Sequence, residues 1–234
     1  MPIERDVDIR AKARQAEPEV VKDGDIVPVQ ATRDGALFSA DWYLKQLLRG
    51  RIHQVACGAT DQGITDPGTF GAGALDSTEF DLLITVPPGT VIVPLEWTVV
   101  LEKFGATGLL EILLARGTGA VSGGTDLTLV PVNQNMASNK VSALTNNVVA
   151  LAAAAGTGLT KEAEIWRGGL QLVEDIAADD TAAWPSRFQF KASSPADLHI
   201  CQGPTFIAGY IAAVGGTGFQ KFVYAEFETG EDIG

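Results

Sequence analysis

Between Phe80 and Arg116 the chain carries its longest apolar run, FDLLITVPPGTVIVPLEWTVVLEKFGATGLLEILLAR. Leu95, Trp97, Val99 and Leu101 alternate with Glu96, Thr98 and Glu102, which predicts a strand with one oily face and one mixed face. Leu110, Ile112 and Leu114 alternate with Leu109, Glu111 and Leu113, which predicts a second strand buried on both sides. Pro87, Pro88 and Gly89 break the run early, and the segment from Gly105 to Gly108 breaks it in the middle. Val, Ile and Thr are frequent and no period of 3.6 emerges, so the stretch reads as sheet rather than helix.

The remaining elements are shorter. Ser39 to Gly50, SADWYLKQLLRG, predicts one short helix, capped by Ser39 or Asp41, with Leu44, Leu47 and Leu48 on one face. A helix of that length is marginal alone in water and must lie on something. Gln54 to Glu79 reads as a loop, and Asn133 to Asn147, with five asparagines, as an exposed connection. Val148 to Ala155 and Ala163 to Val173 read as strands, and Phe188 and Phe190 face inward from a strictly alternating Arg187 to Ala192. Thr205 to Val214, a GGTG turn and Phe219 to Glu228 read as a closing hairpin. Together these predict an all-β, antiparallel two-sheet sandwich of jelly-roll type with an extended N-terminal arm and one short helix. The expected divisions are an arm over 1–37, a helix and linker over 38–60, and the sandwich over 61–234.

Composition sharpens this picture. Residues 1–34 hold 14 of the 46 charged residues and no aromatic, so that segment cannot fold alone. Net charge is −12, which disfavours direct packing against a nucleic-acid backbone. Two cysteines make no disulfide framework. No apolar stretch is long enough for a membrane helix, and the charged N-terminus does not resemble a secretory signal. These features predict a soluble protein made in the cytoplasm and no membrane partner.

Candidate chemistry is sparse. His53 with Cys57, and His199 with Cys201, could in principle make a four-ligand zinc site, but neither pair has finger or ribbon spacing. Glu174, Asp175, Asp179 and Asp180 lack the alternation and the glycine of a calcium loop. No G-x-S-x-G elbow, Walker loop or H-E-x-x-H helix is present. The expectation is a protein without catalytic residues, cofactor or metal.

Three stretches carry a resemblance: FDLLITVPPGTVIVPLEW (Phe80 to Trp97), EIWRGGLQLVEDIAADDTAAW (Glu164 to Trp184) and PTFIAGYIAAVGGTGFQKFVYAEFE (Pro204 to Glu228). Together they are similar to the jelly-roll virion proteins of tailed bacteriophages, which sit on the head as cement or decoration proteins. The resemblance implies a structural protein on the outer capsid surface, with the major capsid protein of the particle and its own copies as partners. The alternative is a receptor- or glycan-binding module of a fibre or spike.

Two surfaces follow as expectations. Both faces of Thr205 to Val214 are uncharged, so both need cover. Phe206, Ala208, Tyr210, Ala212 and Val214 are assigned to the sandwich core. Ile207, Gly209, Ile211 and Ala213 are assigned to a contact between copies, a trimer as the resemblance implies. Arg5, Arg10, Lys12 and Arg14 are the candidate residues by which the arm grips the capsid.

Overall fold

The computed structural model describes residues 12–13, 30–31, 42–58, 69–70, 78, 80–103, 109–119, 126–151, 159–171, 181–194, 197–212 and 216–231. Two antiparallel sheets dominate. One runs in the order β12 (Thr181–Lys191), β6 (Thr90–Lys103), β15 (Gly216–Glu228), β3 (Ile52–Gly58), β9 (Val132–Asn133). β13 (Cys201–Gln202) shares the outer side of β6 with β12, and β4 (Thr69–Phe70) pairs with the start of β15. The other sheet runs β11 (Thr160–Gln171), β7 (Leu109–Thr118), β14 (Thr205–Ala212), β5 (Leu82–Val86), β10 (Val148–Leu151), β8 (Asp126–Thr128). β1 (Lys12–Ala13) and β2 (Gln30–Ala31) form a small parallel pair. The first two orders define an all-β sandwich.

Its core lies between the sheets. Leu82, Ile84 and Val86 of β5, Leu110, Ile112 and Leu114 of β7, and Ile207 and Ile211 of β14 face Trp97, Val99 and Leu101 of β6 and Phe222 and Tyr224 of β15. Each of these side chains removes enough apolar surface from water to contribute roughly 1.5–3 kcal/mol. The expected double burial of β7 is present, because Leu113 and Ala115 on its other face are buried too.

The faces of β14 are the reverse of those expected. Ile207 and Ile211 are fully buried between the two sheets of a single chain, and Gly209 lies against the Trp97 ring. They are therefore not a contact between copies. The alternate face, Phe206, Ala208 and Tyr210, lies on the outer side, where it packs with Phe80, Leu83, Leu113 and Leu159. Uncharged residues on both faces are the right signal for a central strand, but alternation alone cannot say which face meets the other sheet. Ala213 lies outside the described residues.

Two further expectations are corrected. β14 and β15 do not pair as a hairpin: β14 sits between β7 and β5, whereas β15 sits between β6 and β3 in the opposite sheet. The segment from Gln54 is no linker either, because β3 pairs with β15 from Ile52↔Ala225 to Gly58↔Phe219. The sandwich thus begins at β3, earlier than the expected boundary.

A bulge explains one departure from simple alternation. Glu96 pairs with Val223 and Pro94 with Tyr224, which leaves Leu95 as an extra residue in β6. Leu95 then points to the outer face with Val91 and Val93, while Trp97 points inward. Proline, which cannot donate to a ladder, is tolerated at such an irregularity.

That outer face is covered by α1 (Trp42–Leu48), whose Trp42 and Leu47 pack on Ile52, Val91, Val93, Leu95, Val223, Ala225 and Phe227. The Trp42 and Phe227 rings lie 6.3 Å apart. The helix thus has the support that its length requires.

A buried polar chain joins the sheets. Trp97 Nε1 donates to Gln220 Oε1 at 3.0 Å, and Gln220 Nε2 donates to the Asp81 carbonyl at 2.6 Å. The Asp81 carboxylate accepts the Ile211 amide at 2.6 Å, and the Asp81 amide donates to the Gly209 carbonyl at 3.0 Å. A Cβ at Gly209 would come within 2.7 Å of the Trp97 ring, which this chain holds in place. Gly209→Ala is therefore expected to destabilise the fold by about 1–3 kcal/mol in urea unfolding, as overpacking does. A loss below about 0.5 kcal/mol would show that the ring is not fixed.

Candidate functional site

The segment between β8 and β10 leaves one sheet, adds β9 to the other, and returns. It closes one open side of the sandwich. Leu129 and Leu144 plug into the core from it, and Ser142 is buried, so the connection is only partly the exposed loop expected from its asparagines. The asparagines template its turns. Asn133 Oδ1 accepts the Asn135 amide at 2.9 Å, Asn135 Oδ1 accepts that of Ala137 at 3.1 Å, and Asn146 adopts a positive φ of 67°. Asparagine is suited to both tasks.

This crossover is tied to α1. Tyr43 Oη donates to Gln134 Oε1 at 2.9 Å, Asn135 Nδ2 donates to the Leu48 carbonyl at 3.2 Å, and Asn133 Nδ2 donates to the Gly50 carbonyl at 2.8 Å. The flank formed by the two segments so joined exposes Tyr43, Leu44, Leu48, Val132, Met136 (97% exposed) and Val141 (80% exposed), each at or next to a residue that makes or neighbours one of these contacts. Apolar side chains gathered on one side of a closed sandwich mark an interaction surface better than scattered ones do. Charge adds to this. Residues 42–58 and 127–151 contain no aspartate or glutamate, in a chain that has 29 of them.

Beneath the flank lies a second polar cluster. The Ser142 and Tyr224 hydroxyls are 2.7 Å apart, Ser142 Oγ donates to Glu226 Oε2 at 2.5 Å, and the Ala143 amide donates to Glu226 Oε1 at 2.8 Å. Burial, above all, pushes the Tyr224 phenol far up, and the Glu226 carboxylate adds to this against the Ser142 hydrogen bond. The hydroxyl therefore stays protonated and available to the bond. His53 stacks on the Tyr224 ring at 5.7 Å, and its Nε2 lies 3.3 Å from Asn133 Nδ2. Ser142 Oγ also accepts the Leu144 amide at 3.0 Å, so its hydroxyl is spent on closing a turn rather than set up as a nucleophile.

The sequence-derived candidates are scattered. Ile207, Gly209 and Ile211 are core. Arg5, Arg10 and Arg14 lie outside the described residues, as do Glu174, Asp175, Asp179 and Asp180; the backbone of Lys12 pairs with Gln30. Cys57 and Cys201 are buried cysteines outside any disulfide, on β3 and β13, three strand spacings apart across β15 and β6, roughly 14 Å. That separation keeps the two His/Cys pairs from converging on one ion. Burial pushes the Cys201 thiol up to about 11 against the pull of Arg116. Among the described residues no group of three or more His, Cys, Asp or Glu side chains could hold a metal.

The flank was missed by sequence reasoning because its members come from two distant segments. The available signals were the hydrophobic Val132, Met136 and Val141 inside an asparagine-rich stretch, and the lack of acids in both segments. Neither the protein-family models nor the curated proteins offer a match to this sequence.

Asn133 is the joint that holds the flank together, since its amide also donates to the Lys140 carbonyl at 3.1 Å. Asn133→Ala should cost about 1–3 kcal/mol in urea unfolding, because partly buried backbone carbonyls lose their donor. An unchanged midpoint would show that water replaces the amide without loss.

Proposed function

We propose that this chain is a structural virion protein, a cement or decoration protein that binds the outer face of a tailed-bacteriophage head as a trimer and stabilises it. In this reading the sandwich is a jelly roll, which is supported by the way β5 and β6, and again β14 and β15, pass from one sheet to the other. The observation that carries the reading is the exposed apolar flank of α1 and the crossover. The two segments that form the flank contribute no carboxylates of their own, so this side meets another protein's acids with less repulsion than a chain of net charge −12 otherwise does. The partner on the shell is the major capsid protein. The charged arm, with Arg5, Arg10, Lys12 and Arg14, supplies a second, salt-sensitive grip.

Co-sedimentation with heads lacking the protein tests the reading. The full chain should pellet with heads, and Met136→Glu combined with Val141→Glu should weaken binding at least tenfold with stability unchanged, as both positions are exposed. A chain starting at Phe38 should bind more weakly, most visibly at low salt. Light scattering of the free protein should give three times 24.6 kDa. Failure of the full chain to bind heads overturns the reading, and equal binding by the double variant moves the contact away from this flank.

A further inference from the structure

The flank's shape depends on one amide whose orientation is fixed. Asn133 Oδ1 is taken by the Asn135 amide, and Asn133 Nδ2 donates to the carbonyls of Gly50 and Lys140. Turning the amide over would leave all three backbone groups wrongly paired. It is therefore the NH₂ end of Asn133 that faces His53 Nε2, 3.3 Å away. Nε2 consequently has to be the bare nitrogen, and the proton of the neutral ring sits on Nδ1. Nδ1 is itself buried without a hydrogen-bond partner among the described residues, in a side chain only 3% exposed. Charging this ring would put an N–H at Nε2 against an N–H of Asn133, with no acceptor at either nitrogen.

We propose that His53 is a proton-sensitive latch. Charging its imidazole expels the ring from Asn133 and frees the crossover, so the docking flank keeps its shape at neutral pH and loosens in mild acid. This rests on reading the flank as the docking surface and concerns its regulation.

The surroundings fit such a device. From β15, Tyr224 covers the ring face, and Glu226 is committed to Ser142 Oγ and the Ala143 amide. On the β3 side, Arg51 and Cys57 precede and follow His53 along the chain; Arg51 is paired with Glu231 and Cys57 is buried. The crossover contributes Lys140, whose carbonyl shares the Asn133 amide, and α1 is followed by Arg49. Because the latched form has no acceptor for the extra proton and the open form can take it, acid favours the open form. With the ring expelled, the Asn133 amide that carries the contacts to Gly50 and Lys140 loses its packing against β3.

Amide hydrogen exchange on the full chain at about pH 7.5 and pH 5, corrected for intrinsic rates, reads the crossover directly. Protection of the amides from Gln134 to Leu144 should fall roughly tenfold or more in acid, while those of Gly209 and Ile211 in the core hold. In His53→Gln the side chain can still pack against the Asn133 amide but cannot charge, and the acid effect should vanish. Glu226→Gln should retain it. Equal protection at both pH values in the wild type, a persisting acid effect in His53→Gln, or its loss in Glu226→Gln would each overturn the latch. Should His53→Gln not fold, a nitrogen NMR titration of the wild type, which has only two histidines, replaces it. His53 must then charge with the same midpoint as the loosening, and a ring still neutral when the crossover is open refutes the idea. Exchange is measured without heads, so a chain that loosens yet ignores heads retains the latch and loses the docking reading. One that binds heads at neutral pH without loosening in acid does the reverse.

Discussion

Gln220 has to satisfy both ends of its amide in a place almost closed to solvent, and much of the sandwich is arranged around that requirement. Its oxygen takes the Trp97 indole N–H and its nitrogen reaches the Asp81 carbonyl in the facing sheet. A buried amide left half paired costs about 1–3 kcal/mol, whereas apolar packing between sheets tolerates small slides. The chain from Trp97 to Ile211 therefore sets how β6 and β15 lie over β5 and β14. Gly209 is the steric counterpart, since the Trp97 ring occupies the space a side chain would need.

The outer faces obey a different logic. Each sheet carries apolar residues on its outside as well as its inside, so neither is a simple oily-in, polar-out layer. α1 covers one outer face with Trp42 and Leu47, which leaves its own far side, Tyr43, Leu44 and Leu48, pointing away from the sandwich. The exposed apolar flank is thus a by-product of covering a sheet with a helix that is itself oily on two sides. Elsewhere the surface is managed with charge. On β11, Glu164 is held down to about 2 by hydrogen bonds from Arg167 and Lys161, and Arg167 also reaches Glu111 on β7. A charged edge strand of this kind discourages pairing with other chains.

Much of the fold was legible in the sequence. The strands around Trp97 and Ile112, the short helix at Trp42 and the strand at Val148 follow from periodicity and breakers. What alternation could not convey was direction. A strand apolar on both faces, such as β14, gives no sign of which face meets the other sheet, and the extra residue at Leu95 reverses the parity of β6 with only the neighbouring Pro94 to mark it. The GGTG turn read as a hairpin because a tight turn looks the same whether its strands pair or pass to opposite sheets. The flank was hidden for a further reason: Tyr43 and Met136 are neighbours only through hydrogen bonds made after folding, at Gln134 and Asn135.

The position of β15 constrains how this molecule can be made. It is inserted between β3 and β6, with His53 paired to Tyr224 on one side and Trp97 paired to Phe222 on the other. β3 leaves the ribosome long before its partner does. Until β15 arrives, β3 and β6 have unpaired edges, and the platform on which α1 docks lacks Val223, Ala225 and Phe227. Pairings so distant in sequence form slowly, and the waiting strands are open to neighbouring chains in the meantime. The sheet that carries the flank is therefore completed only once β15 has been made, and the nascent chain is most prone to aggregate just before that moment.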